Sequence, residues 1–289
     1  IEVILVGSSE QASHWRRRYA ESPFYDVRVL AKDGEHYFQL KNHGADVARG
    51  TIIAFTDSDV QPRREWVSAI VNGITAGADV AVGPSLFHQR DGFEIGADSA
   101  LMRAAASITW GWILGKRIPG PLPQARGFMD HNMAMRSDHF SDHRYRTDLG
   151  RIIAPGLLFQ KMKNAGLRIE VQPMQRAEHH FSWRYWLVSL HFRYGHEVYR
   201  LRRLNSDYPN QWIRKTWIFE PLITLAWHML LDIPRWFRFS HVLDCGKLYR
   251  WGVFPLALGM SAVARSFEAA GMLATMIMPQ RMRRWAERV

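Results

Sequence analysis

Residues 51–62 read TIIAFTDSDVQP, which is the most informative segment of the chain. The apolar run at its centre predicts a buried strand, which ends abruptly at Asp57, Ser58 and Asp59. Open α/β sheets bind their ligands at the carboxyl ends of strands, where these two aspartates are expected to lie. Two carboxylates two residues apart can share a hard divalent cation, and the cation can hold a diphosphate. The alternative is a simple turn, because Asp and Ser favour turns.

The sequence on either side of this strand carries further signals. A helix-forming segment with Lys41 and Asn42 precedes the strand, and Pro62 and Trp66 follow the aspartates. The order K-N-x-G-x-x-x-A-x-G, strand, D-x-D, x-x-P, x-x-x-W resembles the family two nucleotide-sugar glycosyltransferases, over roughly residues 1–200. The resemblance implies the GT-A fold, an α/β fold with a Rossmann-like, mostly parallel sheet that binds a nucleotide-diphospho-sugar donor.

Strands and helices are predicted to alternate along the first half of the chain, which indicates a largely parallel sheet. Predicted strands lie at residues 2–6, 27–30, 51–55, 78–82, 131–135 and 167–171. Predicted helices lie at residues 10–21, 36–49, 63–76, 97–114 and 157–164, with a loop at 116–123. We assign residues 1–182 to the GT-A domain. Because the chain opens at Ile1 directly into a strand, we expect the family's first strand–helix unit to be missing.

The basic composition requires an anionic partner. The formal charge is +11, the pI is about 10.1, and the chain contains 12 tryptophans, which favour the headgroup level of a membrane. No nucleic-acid-binding module is recognisable, and the basic residues flank apolar stretches instead of forming a polar stripe. We therefore expect an anionic membrane surface as a partner and no nucleic acid. The alternative is that the tryptophans are ordinary core residues. The lone Cys245 excludes an internal disulfide.

Residues 183–289 differ in character from the preceding domain. Residues 183–204 predict a long basic helix, and residues 218–233 and 251–278 predict apolar helices bordered by Arg and Lys. Neither apolar stretch has the ~20 uninterrupted apolar residues of a simple spanning helix. Apolar helices with Trp and Arg borders suit the membrane interface, so we predict a membrane-associated helical region on the cytoplasmic face of the inner (plasma) membrane. A tilted or re-entrant span and a soluble helical cap are the alternatives.

The resemblance implies a metal-assisted donor site. In the family the first aspartate lies near the ribose and the second binds Mn²⁺ or Mg²⁺, which maps to Asp57 and Asp59. A family histidine six residues after a strand-ending proline maps to His179, so Asp59 and His179 are the expected metal ligands. The alternative for the His-His pair is a structural role. The expected nucleotide-sugar-binding residues are Gly7, Ser8, Lys41, Asn42, Asp57, Ser58, Asp59 and Asn132.

The catalytic base departs from the family pattern. An inverting transfer needs a carboxylate that deprotonates the acceptor hydroxyl. The family takes it from a Glu-Asp pair at the start of the helix that precedes Gly166, and these places hold Ala154 and Pro155. Asp148 and Asp130 are the remaining candidates for the catalytic base.

A second departure concerns processivity. Polymerising members carry Gln-x-x-Arg-Trp on a helix after the core, whereas here Leu190 replaces the glutamine while Arg193 and Tyr194 remain. The leading interpretation is a glycosyltransferase that moves one sugar to a cell-envelope glycan or lipid-linked acceptor, as part of polysaccharide biosynthesis. The alternative is a catalytically inactive homologue that binds a nucleotide-sugar or scaffolds a membrane complex.

Overall fold

A computed structural model describes residues 1–21, 26–89, 99–111, 119–122, 128–208, 210–243 and 245–288. Its strands are β1 (Glu2–Gly7), β2 (Asp26–Ala31), β3 (Ile52–Phe55), β4 (Val60–Pro62), β5 (Val80–Val82), β6 (Ser85–His88), β7 (Gly120–Pro121), β8 (Met133–Arg136), β9 (Ile169–Val171) and β10 (Ala177–His180). The helices of the same region are α1 (Ser9–Tyr19), α2 (Tyr37–Asp46), α3 (Trp66–Thr75), α4 (Ala100–Trp110), α5 (Ser137–Asp142) and α6 (Ile153–Asn164).

Local sequence explains where several of these helices begin and end. The Ser8 hydroxyl accepts a hydrogen bond from the Gln11 amide while the Gln11 side chain caps the Ser8 amide, which starts α1 with a capping box. Helices α3 and α6 are followed by Gly77 and Gly166, whose φ angles of 102° and 79° only glycine adopts easily. The predicted helix at 97–114 corresponds to α4. Its predicted ends, and most of the predicted loop at 116–123, lie outside the described residues.

The central sheet has the strand order β3-β8-β5-β9-β7. Strand β5 is parallel to β9, but β8 is antiparallel to both β3 and β5, and β7 is antiparallel to β9. The expected α/β fold is therefore confirmed, whereas the expectation of a mostly parallel sheet is wrong for the described strands. The strand–helix alternation behind that expectation stops after β5, and β8 enters the sheet in the opposite direction after this break.

A three-stranded sheet of order β4-β10-β6 brings the DSD segment next to the predicted histidine. Strand β10 is antiparallel to β4, with His179 opposite Val60, and the His180 amide donates to the Asp59 carbonyl at 3.0 Å. All three strands are short and escaped sequence prediction. Their pairing is what fixes His179 beside Asp59.

The C-terminal part is helical, as predicted. It consists of a π-helix at Tyr185–Phe192, α7 (Arg193–Leu204), α8 (Gln211–Arg214), a 3₁₀ turn at Trp217–Phe219, α9 (Glu220–Val242), α10 (Lys247–Ile277) and α11 (Pro279–Arg288). Helices α9 and α10 pack on each other and on α4. Among the described helices, none combines the length and the apolar character needed to cross a membrane.

One apolar core joins the two parts of the chain. Phe87 and Trp110 from the first part belong to the same buried cluster as Trp186, Trp236 and Phe239 from the second. The domain boundary between residues 182 and 183 stays a prediction, although the π-helix begins close to it. The shared core holds the C-terminal helices in position over the edge of the sheets where the aspartates lie.

Candidate functional site

A cavity of about 400 Å³ opens at the carboxyl end of β3, beside the DSD segment. Asp57, Asp59 and Asp130 lie at one end of it, and His228 of α9 and Arg265 of α10 line the other end. Its wall also includes Tyr37, Trp110, His131, Arg151, Pro155, His179, Tyr185, Ser189, Leu190, His191, Arg193, Tyr194 and Arg235. The cavity is therefore shared between the sheets and the C-terminal helices.

Three side chains surround Asp57 and Asp130. The Tyr37 hydroxyl lies 2.6 Å from Asp57 Oδ2 and 2.6 Å from Asp130 Oδ2, so it can donate to either carboxylate. Lys41 Nζ lies 2.8 Å from Asp57 Oδ1 and 3.3 Å from Asp130 Oδ2, and it donates to the Asp130 carbonyl at 2.6 Å. Tyr37 and Lys41 are one turn apart on α2, which presents both groups on one face.

This cluster keeps a mostly buried carboxylate ionised. Burial alone would raise the pKa of Asp57, but the Lys41 ammonium and the hydrogen bond from Tyr37 hold it well below its usual range. Burial and the nearby Asp130 and Asp57 raise the pKa of Tyr37, so Tyr37 remains a protonated donor. The arrangement therefore fixes Asp57 as an anion with a defined orientation.

The two ring nitrogens of His179 face different partners. His179 Nδ1 lies 3.0 Å from the His180 carbonyl oxygen, which can only accept, so Nδ1 carries the proton. Nε2 lies 2.9 Å from the Tyr185 hydroxyl and 3.6 Å from Asp59 Oδ2. The Asp59 side chain is half exposed at the cavity mouth. This pair offers one imidazole nitrogen and one carboxylate to a cation.

Asp59 and His179 together suit a divalent cation whose remaining coordination positions are filled by a bound ligand or water. No group of three or more His, Cys, Asp or Glu in the described part of the chain is arranged to hold a metal by itself. Mg²⁺ is commonly held by one or two carboxylates together with substrate phosphates and water, and imidazole is also a good Mn²⁺ ligand. Asp59 and His179 are therefore the residues that would hold such an ion.

Buried aromatic rings and His131 form the adjoining wall. His131 Nε2 lies 2.9 Å from the Ser85 hydroxyl, and its ring contacts those of Trp110 and His179. Burial and the proximity of His179 lower the pKa of His131 to about 4, so this ring is neutral at physiological pH. The wall is thus polar without adding charge.

The cavity wall is apolar where the family resemblance expects the catalytic base. Ala154 and Pro155 are both buried in the first turns of α6, and Pro155 faces the cavity. The structure does not bring Asp148 to the cavity, because its side chain is exposed at the surface and paired with Arg146. Of the two candidate bases, only Asp130 lines the cavity.

Several expected donor-site residues have their polar groups engaged elsewhere. Asn42 bonds the Tyr145 backbone through both side-chain atoms, and Asn132 is fully buried, where it accepts from Trp66 Nε1 at 2.7 Å. Ser8 caps α1. Gly7 and Ser8 lie outside the cavity lining, and Ser58 is exposed between the two aspartates without lining it. Of the expected set, the structure brings Lys41, Asp57 and Asp59 together.

Sequence reasoning missed four residues of the site, namely Tyr37, His131, Arg151 and Tyr185. Tyr37 could have been found from its four-residue spacing to Lys41 on a predicted helix. His131 directly follows the candidate Asp130. Arg151 stacks its guanidinium over the Tyr37 ring at 4.3 Å, a contact between distant segments that no local pattern indicates.

A solved mannosyltransferase shares this fold. The mannosyltransferase PcManGT from Pyrobaculum calidifontis, in complex with GDP-Man and Mn²⁺, matches with a TM-score of 0.54 at 14% identity, over 96% of this chain and 78% of that chain. GalNAc-T7 with UDP, GalNAc and Mn²⁺ matches with a TM-score of 0.46 at 16% identity, over 62% of this chain. The chain spans 38% of the length of GalNAc-T7. No curated protein matches the sequence.

The amino-acid sequence also matches the model of a protein family. The model of glycosyl transferase family 2 matches residues 1–144, which include the DSD segment, Lys41 and Asp130. The match agrees with the motif order around β3 and with the α/β fold followed by C-terminal helices. Residues 1–144 therefore belong to glycosyl transferase family 2, in a chain that has a GT-A-like fold.

Proposed function

We propose that this protein transfers one sugar from a nucleoside diphosphate donor to a hydroxyl of a cell-envelope glycan or lipid-linked acceptor, with inversion at the anomeric carbon. The observation that carries the proposal is the single cavity into which Asp59, His179, Asp57 and Asp130 project. It combines a cation-binding pair, a fixed anion and a further carboxylate. The donor end lies at the sheets, and the remaining volume extends beneath the C-terminal helices.

At the donor end, Asp59 and His179 would hold Mn²⁺ or Mg²⁺. When bound, the ion neutralises the charge that develops on the leaving diphosphate. Arg151 lies on the same cavity wall and forms no ion pair with a described residue, so its guanidinium is available to the diphosphate oxygens. Asp57, held by Lys41 and Tyr37, is placed to accept hydrogen bonds from the donor ribose.

Asp130 is proposed as the catalytic base. Its carboxylate takes the proton of the acceptor hydroxyl, and the acceptor oxygen forms a bond to the anomeric carbon of the sugar. The bond from that carbon to the diphosphate oxygen breaks, and its electron pair leaves with the nucleoside diphosphate. Lys41 and Tyr37 hold the carboxylate in place through contacts of 3.3 Å and 2.6 Å.

The proposals for the acceptor class and for the location of the protein are based on its C-terminal part. Helices α9 and α10 contribute His228, Arg235 and Arg265 to the cavity, so an acceptor would be bound partly by these helices. Leu190, at the position of the glutamine found in processive synthases, also faces the cavity and favours single additions. We place the protein on the cytoplasmic face of the plasma membrane, whose inner leaflet is anionic.

One observation favours a second candidate, an inactive nucleotide-sugar-binding homologue that scaffolds a membrane complex. Ala154 and Pro155 are buried and cannot accept a proton. In that case the cavity would bind the donor without turning it over. Turnover measurements on the same preparation distinguish the two functions.

The test is release of nucleoside diphosphate from UDP-, GDP- and dTDP-sugars by the full chain, with Mn²⁺ and with mixed envelope lipids as the acceptor source. Release that depends on the lipid fraction, with one sugar added per acceptor, supports the transferase. NMR of the product gives the anomeric configuration. Donor binding without release under all these conditions would support the inactive homologue.

A further inference from the structure

After its first residue, Lys247, helix α10 has its charged side chains on the inside and apolar side chains on the outside. Between Trp251 and Met278 its only charged residues are Arg265 and Glu268, which are 3% and 1% exposed. Its exposed large hydrophobic residues are Leu248, Trp251, Leu256, Val263, Leu273 and Ile277, and Met278 directly after the helix is also exposed. In a helix that borders water the pattern is the reverse, with charges outside and apolar residues inside.

Helix α9 shows the same inversion. Its acidic residues Glu220 and Asp232 are buried. Its exposed stripe begins with Leu222, Ala226, Leu230, Ile233 and Pro234, which are spaced to lie on one face. The stripe becomes basic only at Arg238 and His241. The outer faces of both helices are therefore apolar over most of their length.

The 3₁₀ turn before α9 adds three exposed apolar side chains. Trp217, Ile218 and Phe219 are 74%, 53% and 57% exposed. Trp217 adopts a φ of 52°, a backbone conformation that is unfavourable for a bulky residue. The turn therefore adopts an unfavourable backbone conformation and leaves the Trp217 side chain exposed, so burial of this side chain does not compensate for the strain.

The charge around this apolar surface has one sign. Between residues 210 and 286, every described acidic side chain is buried, namely Glu220, Asp232 and Glu268. The exposed basic residues of the same region are Arg214, Lys215, Arg238, Lys247, Arg281, Arg283 and Arg284. The described surface is therefore apolar and bordered by cations only.

We propose that the outer faces of α9 and α10, together with the Trp217–Phe219 turn, form a docking surface for a lipid bilayer that carries anionic headgroups. We call this surface the docking face. Apolar side chains enter the boundary between headgroups and acyl chains, and the bordering Arg and Lys contact lipid phosphates. A second copy of the chain fits poorly, because the basic borders of two copies would repel. Nucleic acid fits poorly because the centre of the face is apolar.

The docking face lies on the opposite side of the same helices from the cavity. His228 and Asp232 of α9, and Arg265 and Glu268 of α10, point inward, where Arg265 bonds Asp232 at 2.8 Å and 2.9 Å. A helix with its side chains is roughly 10 Å thick, so docking brings the cavity within about one helix of the lipid. The docking itself is independent of the proposed transfer, since it needs neither donor nor acceptor.

The test is sedimentation of the full chain with vesicles, in the absence of donor. We expect strong binding to phosphatidylcholine vesicles containing roughly a third phosphatidylglycerol, and weak binding to phosphatidylcholine alone. Added salt should weaken the binding to the anionic vesicles. The double variant Leu222→Gln, Leu230→Gln should bind about tenfold more weakly or worse. Its matched control is Val67→Gln, Val71→Gln on α3, where the exposed valines lie outside the docking face.

A second pair of variants tests the basic border. Each cation near an anionic membrane surface strengthens binding about fivefold. The double variant Arg214→Gln, Lys215→Gln, which removes two cations, should therefore bind anionic vesicles about 25-fold more weakly. The control Arg17→Gln, Arg64→Gln removes two exposed cations from the GT-A part and should bind as the wild type does. Circular dichroism of each variant shows whether the fold is retained.

A labelled variant reports the docking face directly. An environment-sensitive fluorophore on Leu222→Cys should shift to the blue with anionic vesicles, and one on Val71→Cys should not; the native Cys245 is buried. The proposal is overturned if the wild type ignores anionic vesicles, or if the α9 variants bind as well as the wild type does. The wild type could instead form dimers and fail to bind vesicles. If the double variant Leu222→Gln, Leu230→Gln dissociated those dimers, the docking face would be an interface between two copies of the chain.

Discussion

Lys41 connects the two carboxylates that matter most at the residue scale. It lies within 3.3 Å of both Asp57 and Asp130, and its side chain is almost fully buried. Two carboxylates this close would otherwise repel, and one would take up a proton. A fixed ammonium between them keeps Asp57 ionised and also leaves Asp130 within reach of the cavity. The distribution of charge in the site thus depends on one α2 side chain.

Asp130 can be tested by removing its basicity alone. Asp130→Asn keeps an oxygen that can accept from Tyr37, so donor binding should change little. Turnover should fall by about 10²-fold or more, because a general base contributes on that scale. Steady-state rates and donor affinity measured on the same preparation check this. Asp148→Asn is the matched control, since Asp148 is exposed and paired with Arg146, and it should keep the wild-type rate.

Among the secondary-structure elements, helix α6 is capped at its N-terminus by a carboxylate from α7. Glu197 is fully buried, and its Oε2 accepts from the Ile152 and Ile153 amides at 2.7 Å and 3.0 Å. These are backbone donors at the start of α6, where no side chain of the helix itself caps them. Arg193, which lines the cavity, lies 3.7 Å from the other Glu197 oxygen. The start of α6 is therefore anchored to the C-terminal helices.

We expect Glu197→Ala to lower the free energy of unfolding by about 3 kcal/mol or more, because it leaves buried amides and a buried guanidinium without their partner. Chemical denaturation measures this loss. Glu10→Ala is a suitable control, since Glu10 is an exposed acid in the first turn of α1 and should contribute about 0.5 kcal/mol. Equal losses in the two variants would contradict the role given to Glu197.

Two buried histidines, His191 in the π-helix and His196 in α7, should lower the free energy of unfolding under mildly acidic conditions. Burial and nearby cations, Arg265 for His191 and Arg200 for His196, lower the pKa of His191 to about 3 and that of His196 to about 4. The unfolded chain protonates these rings near pH 6.5, so between about pH 6.5 and pH 4 it binds more protons than the folded chain. The melting temperature should therefore drop across this window. His196→Asn should flatten the drop, and an unchanged slope would contradict the assignment.

Sequence reasoning reached the elements that local patterns specify. The strand before Asp57 and the helix carrying Lys41 follow from apolar runs and helix stops, and the motif order around them gave the family. The short strands β4, β6 and β10 were missed because three or four residues give too little periodicity. The contact of Asp130 with Tyr37 joins residues 93 positions apart, which no spacing rule predicts. The role of Asn132 was misjudged for the same reason, since its partners Trp66 and Gln175 come from distant segments.

At the scale of the whole molecule, one buried network closes the cavity. Arg265 of α10 bonds Asp232 of α9, Glu268 and the Ile108 carbonyl of α4, all within 2.9 Å. Although burial alone would raise the pKa of Asp232, Arg265 lowers it, so the pair stays charged inside the protein. Buried pairs of this kind fix the arrangement of helices more than they add stability. This network thereby holds the C-terminal helices against the cavity.

The most direct test of the central claim, a metal-assisted donor site in this cavity, is calorimetric titration of the full chain with UDP, GDP and dTDP, with and without Mn²⁺. We expect that one nucleotide binds, that its binding requires Mn²⁺, and that Asp59→Asn abolishes the Mn²⁺ requirement together with tight binding. Asp138→Asn, which alters an exposed aspartate outside the cavity, should bind as the wild type does. No binding of any nucleotide, or Mn²⁺-dependent binding that survives Asp59→Asn, would rule out a metal-assisted donor site at Asp59.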